Sequence, residues 1–203
     1  MAAERSSVFE ATYRRYLADL ADRDLDAAAG RLGLEMVDGA VVVPFLGSPF
    51  RVSVDGVMSP AGGRPPFPVR VVILKFLLIA PDSAPGGLEW AAYRDFPDAA
   101  PLLGYFAGNA EAVVAREFTG RLDALAAAAD RLGGRPPETS YPYDLARIVD
   151  FLPGLPALLL FNDADETFGA GVSILFQRRI SRYLDMESVA IAGVLLAETL
   201  TQD

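Results

Sequence analysis

Leu155-Pro156-Ala157-Leu158-Leu159-Leu160-Phe161, then Asn162-Asp163-Ala164-Asp165-Glu166-Thr167-Phe168-Gly169-Ala170-Gly171, then Val172-Ser173-Ile174-Leu175-Phe176: the reading of these residues decides the fold. Two short apolar runs bounded by turn-forming residues read as paired strands of a buried hairpin, with carboxylates at its tip. Upstream, Tyr141 to Leu152 leads into the hairpin as a strand through Ala146-Arg147-Ile148-Val149. Downstream, Arg178 to Leu184 reads as a short helical turn. Asp185 then caps a closing helix from Met186 to Leu200, with Glu187 well placed in its first turn.

The preceding chain alternates helix and strand signals. Ser7 to Ala21 carries Val8, Phe9, Ala11, Tyr13, Tyr16, Leu17 and Leu20 at helical spacing. Asp24 caps a second, alanine-rich helix that runs through Leu32 and stops at Gly33. Leu34 to Val37, the Asp38-Gly39 turn, Ala40 to Leu46, a turn at Gly47-Ser48-Pro49, and Phe50 to Val54 make a three-stranded meander ended by Asp55-Gly56. Pro44 marks its strand as an edge or a bulge. Ser59 to Pro68 is a loop, Val69 to Ala80 an almost wholly apolar core helix, and Glu89 to Phe96 a short strand. Pro101 to Leu132 is helical, in one segment to about Ala107 and another from Asn109 or Ala110, bending near Gly120. Val113, Val114, Phe118, Leu122, Leu125, Ala126, Ala129 and Leu132 form its apolar stripe.

These elements predict an α+β fold: a mostly antiparallel sheet, or two, packed against several helices including the C-terminal one. With two sheets, one spans Leu34 to Val54 and the other is built on the Pro156 to Phe176 hairpin. No linker divides the 203 residues, so a single domain is expected, with two lobes (about 1–135 and 136–203) sharing one core as the variant form.

Composition removes whole classes of chemistry. The chain has no cysteine and no histidine, which excludes from its own residues disulfides, cysteine-held iron–sulfur clusters, Ser-His-Asp and Cys-His catalysis, and histidine-ligated zinc or haem. Acid–base work would fall to carboxylates, Lys or Tyr. Net charge is −9, and the basic clusters Arg14-Arg15 and Arg178-Arg179-Arg182 are short, so no nucleic-acid partner is expected. Met1 to Ser7 lacks the apolar centre of a signal peptide, and Val69 to Ala80 is charged at Arg70 and Lys75 and shorter than the ~20 residues of a membrane span. A cytoplasmic protein with no membrane partner is the expectation.

Two clusters stand as candidate sites. Asp163, Asp165 and Glu166 carry hard oxygen ligands suited to Mg²⁺ or Ca²⁺. Counted from Asp163, however, the glycine of a calcium loop falls on Phe168 and its bidentate glutamate on Ile174. The favoured reading is a solvated acidic turn with Phe168 folded back onto the core. Trp90, Tyr93 and Arg94 could form an aromatic and cationic ligand surface. The alternative, preferred here, is a half-buried strand with Trp90 in the core and Arg94 paired to Asp95, Asp98 or a neighbour. Neither the scattered Gly104, Gly108 and Gly120 nor Gly169-Ala170-Gly171 makes a dinucleotide fingerprint.

From about Tyr13 to Leu200 the chain resembles a prokaryotic family known only as domain of unknown function 3786. The most telling residues are Leu155-Pro156 with the following strand, Asp165-Glu166-Thr167-Phe168, Ile174-Leu175-Phe176 and Tyr183-Leu184. Val43 to Gly47, Ile73 to Leu78 and Trp90 to Arg94 match weaker motifs. Thr167 stands where the family often has a third acidic residue, Lys75-Phe76 where a His-Tyr pair is common, and a four-cysteine segment of some relatives has no counterpart. The resemblance implies an accessory role near iron–sulfur or corrinoid metabolism for some members, and no reaction.

The leading expectation is therefore a non-catalytic accessory domain, without a cofactor, that binds a small molecule or a protein. A carboxylate-based enzyme dependent on a divalent cation, and a structural subunit that forms a homo-oligomer through an apolar face such as that of the closing helix, are the competing readings.

Overall fold

The computed structural model describes residues 2–202, with side chains from residue 9 onward. It has two antiparallel four-stranded sheets and helices packed on them, the α+β architecture expected from the sequence. The first helix, α1, is Ala2–Ala21. Of its expected stripe, Tyr13 and Leu20 are buried and Val8 lies outside the described side chains. The second, α2, is Leu25–Leu32: the Asp24 carboxylate accepts from the Ala27 N–H at 2.9 Å, and Gly33 ends it in the left-handed region at φ 65°.

The first sheet runs β1 (Glu35–Val37), β2 (Ala40–Phe45), β3 (Ser48–Ser53) and β4 (Gly56–Met58), in that order. It is a meander of four strands, not three. Asp55-Gly56 does not end the sheet, because Gly56 opens β4. The second turn falls on Leu46-Gly47 (φ 48° and 76°), so Ser48 and Pro49 are already strand residues. Asp38-Gly39 makes the first turn with φ 50° and 74°, and both pairs suit a two-residue hairpin. Leucine is a costly residue there. Its N–H donates to the Phe151 carbonyl at 3.0 Å, and its side chain is buried, so packing between the sheets overrides the local preference.

Pro44 is neither on an edge strand nor at a bulge; it pairs with Pro49 inside the β2–β3 ladder. Phe45 and Ser48 close the two-residue hairpin as a hydrogen-bonded pair, so the next pair is a non-bonded one whose nitrogens point outward. β1 reaches only to Val42 and β4 only to Arg51, so no neighbouring strand asks either proline for an N–H. The ladder loses nothing there.

The second sheet has the order β5-β8-β7-β6, from β5 (Trp90–Ala92), β6 (Leu145–Leu152), β7 (Leu155–Asn162) and β8 (Gly171–Gln177). The deciding hairpin forms as read, with Leu159 opposite Ile174. β7 is buried on both faces from Leu155 to Phe161, which is why its sequence is a continuous apolar run rather than an alternation. Each buried leucine there contributes about 2 kcal/mol of transfer free energy.

The third helix, α3 (Phe67–Ile79), is buried almost all round. The 3₁₀ turn Ala100–Leu102 leads into α4 (Leu103–Phe106), a wide π-helical turn at Ala107–Glu111, and α5 (Ala112–Phe118). Gly120, at φ 69°, separates these from α6 (Leu122–Arg131). The last helix, α7, is Met186–Leu200, with the Asp185 carboxylate accepting from the Ser188 N–H at 2.8 Å. A side-chain carbon at Gly193 would collide with the Phe106 ring, so glycine is what lets α7 seat on α4. Buried side chains from both sheets and all these helices join one contiguous core. Among the described residues no helix is long and apolar enough to cross a membrane.

Candidate functional site

At the hairpin tip the carboxylates are engaged by their own surroundings. Asp163 Oδ1 accepts from the N–H groups of Gly120 (2.8 Å) and Ala164 (2.7 Å), while its own N–H donates to Asp144 Oδ2 at 2.8 Å. Asp165 Oδ1 accepts from the Phe168 and Thr167 N–H groups, both at 2.7 Å. These two bonds hold the Asp165 carboxyl below its ordinary pKa. Glu166 is exposed. Among the described residues no group of three or more His, Cys, Asp or Glu side chains is placed to hold a metal ion. Phe168 does not fold back onto the core: it is 72% exposed, because the Asp165 turn aims it outward.

The Trp90, Tyr93 and Arg94 trio is split by the structure. Trp90 sits on β5 opposite Gln177 and is half-buried rather than in the core. Tyr93 is buried, stacks on Phe106 at 4.5 Å between centroids, and donates its hydroxyl to the Met186 carbonyl at 2.8 Å. Arg94 points to solvent and is not paired to Asp95, whose Oδ2 accepts from the Ala92 N–H at 3.1 Å. The Arg94 charge acts on Glu111, where it partly offsets the effect of burial. Burial raises the Glu111 pKa, while its Oε1 accepts from the Ile174 N–H at 3.1 Å.

The arrangement that sequence reading missed lies between α1, α3 and α7. Phe9, Thr12 and Tyr16 line it from α1, Phe67, Val71 and Lys75 from α3, and Ile191, Val194 and Leu195 from α7, enclosing about 650 Å³. Leu102 and Tyr105 add to the apolar wall, and Glu187, Ser188 and Glu198 are its other polar groups. Phe9 packs against Phe67 with ring centroids 4.8 Å apart and the rings tilted by 33°, and Arg70, on another face of α3, lies 4.4 Å from the Tyr13 ring centroid. Together with Lys75 over the Tyr16 ring at 4.7 Å, these pairs run α1 and α3 side by side in the same direction. Arg15 lies 5.5 Å from the centroid of the same Tyr16 ring.

Among the described lining residues Lys75 is the cation. Its Nζ lies 2.9 Å from Asp185 Oδ2, while the other Asp185 oxygen caps α7. Burial alone would lower the Lys75 pKa, but Asp185 and Tyr16 outweigh it and leave it raised. Burial would raise Asp185, yet Lys75 and Ser188 leave it lowered. The pair is therefore fully ionised at neutral pH, and it ties α3 to the start of α7. A second row at i, i+3/i+4 and i+7/i+8 on each of three helices, apolar but for Thr12, Lys75, Ser188 and the end glutamates, was the signal in the sequence. On α3 and α7, apolar on nearly every face, it does not stand out.

No curated protein and no solved structure matches this chain. The family profile described as Domain of unknown function (DUF3786) matches residues 24–199, from the cap of α2 to the last turn of α7, and so takes in both sheets and two walls of the groove. The chain belongs to the DUF3786 family.

Proposed function

We propose that this domain is a non-catalytic binding module and that its binding site is the groove between α1, α3 and α7. The observation that carries the reading is an apolar cleft of about 650 Å³ with a few polar groups along it, within the ~300–1,000 Å³ common to ligand sites. Its inward-facing lysine supports binding over catalysis. A lysine with a raised pKa, held by Asp185, is protonated and is a poor nucleophile or base. The tip carboxylates favour a structural turn over a cation-dependent enzyme, because Asp163 and Asp165 already accept backbone N–H groups. An accessory role beside iron–sulfur or corrinoid enzymes would rest on recognition, since the chain has no cysteine or histidine to hold a metal.

The test is titration with Nile red, a neutral apolar dye, of the wild type and of Ile191→Glu, which puts a charge into the half-buried groove wall. Saturable fluorescence in the wild type that the variant loses, with circular dichroism unchanged, is the expected result. Dye binding that ignores the substitution would overturn the assignment of the site. Light scattering across protein concentrations separates this reading from that of an oligomerising subunit, which predicts self-association through the same rim.

A further inference from the structure

The groove is long as well as apolar. On α7 its lining runs from Glu187 to Glu198, about three helical turns or roughly 16 Å. Phe9, Thr12 and Tyr16 on α1 and Phe67, Val71 and Lys75 on α3 add two further rows at helical spacing. Three such rows offer ridges and furrows into which another helix packs. The apolar rim of the cleft stays open to solvent: Phe9 is 48% exposed and Tyr105 42%, and Leu103, just beyond the lining, is 38% exposed. A small molecule confined to the cleft would leave that rim wet, whereas a macromolecular partner would cover it.

Charge narrows the class of partner. The Lys75 charge is matched by Asp185 at 2.9 Å. Glu187 and Glu198 are both exposed, one near the start of the lining and one near its end. Among the described residues, even with Arg15 counted beside Tyr16, the carboxylates of Asp185, Glu187 and Glu198 outnumber the cations around the groove, on a chain of net charge −9. An acidic surface of this kind attracts a cationic partner and repels an anionic one.

From this geometry we infer that the groove's occupant is a basic amphipathic helix of a partner protein. Its apolar stripe at i, i+4, i+7 and i+11 lies along α1, α3 and α7, and its Lys or Arg side chains meet Glu187 and Glu198. The inference rests on the groove being the binding site and names what enters it.

A dye-labelled synthetic 15-residue helix with leucine at those four positions and lysine flanking them is the probe, read by fluorescence anisotropy against the full chain. Controls are the same peptide with glutamate for lysine, the peptide with glutamine for lysine, and dodecyltrimethylammonium below its micelle concentration. The lysine peptide is expected to bind saturably and the glutamate peptide at least tenfold more weakly. Glu187→Gln with Glu198→Gln should weaken the lysine peptide about tenfold and leave the glutamine peptide unchanged. Ile191→Glu should abolish binding. Because that variant could disturb folding, Phe9→Ala with Tyr105→Ala, at two exposed positions, gives a second reading and should also weaken binding about tenfold.

Equal binding of the lysine and glutamate peptides overturns the inference. So does lysine-peptide binding that survives both Ile191→Glu and the rim truncation, which would mark it as attraction to net charge alone. If dodecyltrimethylammonium fills the groove and no peptide does, the occupant is a small organic cation and the helix is wrong, while the groove as binding site stands. Nile red binding that is lost in Ile191→Glu, with no peptide bound, separates failure of this inference from failure of the site itself.

Discussion

Asp165 at the hairpin tip and Asp185 beside the groove both bond backbone N–H groups, and the two differ in how far they reach. At the tip, Asp165 bonds N–H groups two and three residues on, so its role is closed within one turn of chain. At the groove, Asp185 caps α7 with one oxygen and holds Lys75 on α3 with the other. One carboxylate shapes a loop. The other joins two helices to each other. Removing the first should stay local, and removing the second should be felt by the whole domain.

The largest expected effect is Asp185→Ala, which removes a helix cap and leaves a half-buried ammonium unpaired. The loss should be about 2 kcal/mol in urea denaturation, with the ion-pair part discounted for its partial exposure. Asp185→Asn keeps an acceptor for the cap and should lose about half as much. A double-mutant cycle with Lys75→Met should show coupling, and additivity would break the contrast with the tip. Linkage gives the pH window. Asp185 is lowered in the folded state, so its contribution is present above the unfolded pKa near 3.9 and disappears as pH falls through the folded value. Lys75 is raised, so its contribution is present below about 10.4 and disappears as pH rises through the folded value.

Next in size is Gly193→Ala. Alanine gains about 1 kcal/mol of helix propensity, but its methyl meets a Phe106 ring already stacked on Tyr93 and set edge-on to Phe176. Overpacking of about 1–3 kcal/mol should win, for a net loss of roughly 1 kcal/mol. A melting temperature equal to or above wild type would show that α7 can shift away from α4.

Glu111 combines the two modes, since it bonds a backbone N–H as Asp165 does but reaches across the fold to Ile174. Its folded pKa is raised, so the native state holds its proton longer and stability falls as pH rises from about 4.3 through the folded value. Glu111→Gln keeps the acceptor and removes that slope. Stability at pH 7 should rise by no more than about 0.5 kcal/mol. A loss would mean that the ionised form is needed, with Arg94 as its partner.

The smallest effect belongs to the tip. Asp165→Asn with Glu166→Gln should leave thermal unfolding unmoved, because asparagine can still accept from Thr167 and Phe168. Adding Mg²⁺, Ca²⁺ or Mn²⁺ should not shift the wild type either. A cation-dependent rise that the double variant lacks would make the tip a metal site and reverse the ranking of the two regions. Saturation at a hundred times the dissociation constant contributes about 2.7 kcal/mol, large enough to see.

Local chemistry was legible in the sequence, and long-range juxtaposition was not. The caps at Asp24 and Asp185, the Asp38-Gly39 turn and the β7–β8 pairing are each decided within a few residues, and they stand as read. The Leu46 turn was misplaced because its left-handed leucine depends on Phe151. β4 was missed because three residues after a turn carry no period of their own. The wide turn at Ala107–Glu111 has no sequence signature, although it sets where Glu111 meets β8. The groove needs Tyr16, Lys75 and Ile191 in one place. Within an apolar helix Lys75 read as a bar to membrane insertion and as a departure from a family pair, and nothing near it pointed to Asp185.

The order of strands in the second sheet bears on how the chain is made. β5 leaves the ribosome early, yet its partner β8 is synthesised last among the strands, so Trp90 waits for Gln177. The first sheet, whose partners are adjacent in sequence, closes as soon as it emerges. During translation the finished meander would carry an unmatched strand tethered behind α3, with the apolar residues destined for the common core still uncovered. That interval is when the nascent protein is most open to wrong pairing and to chaperone capture. Slowing translation past the β7–β8 codons should lengthen it and lower the soluble yield, without altering one residue of the finished molecule.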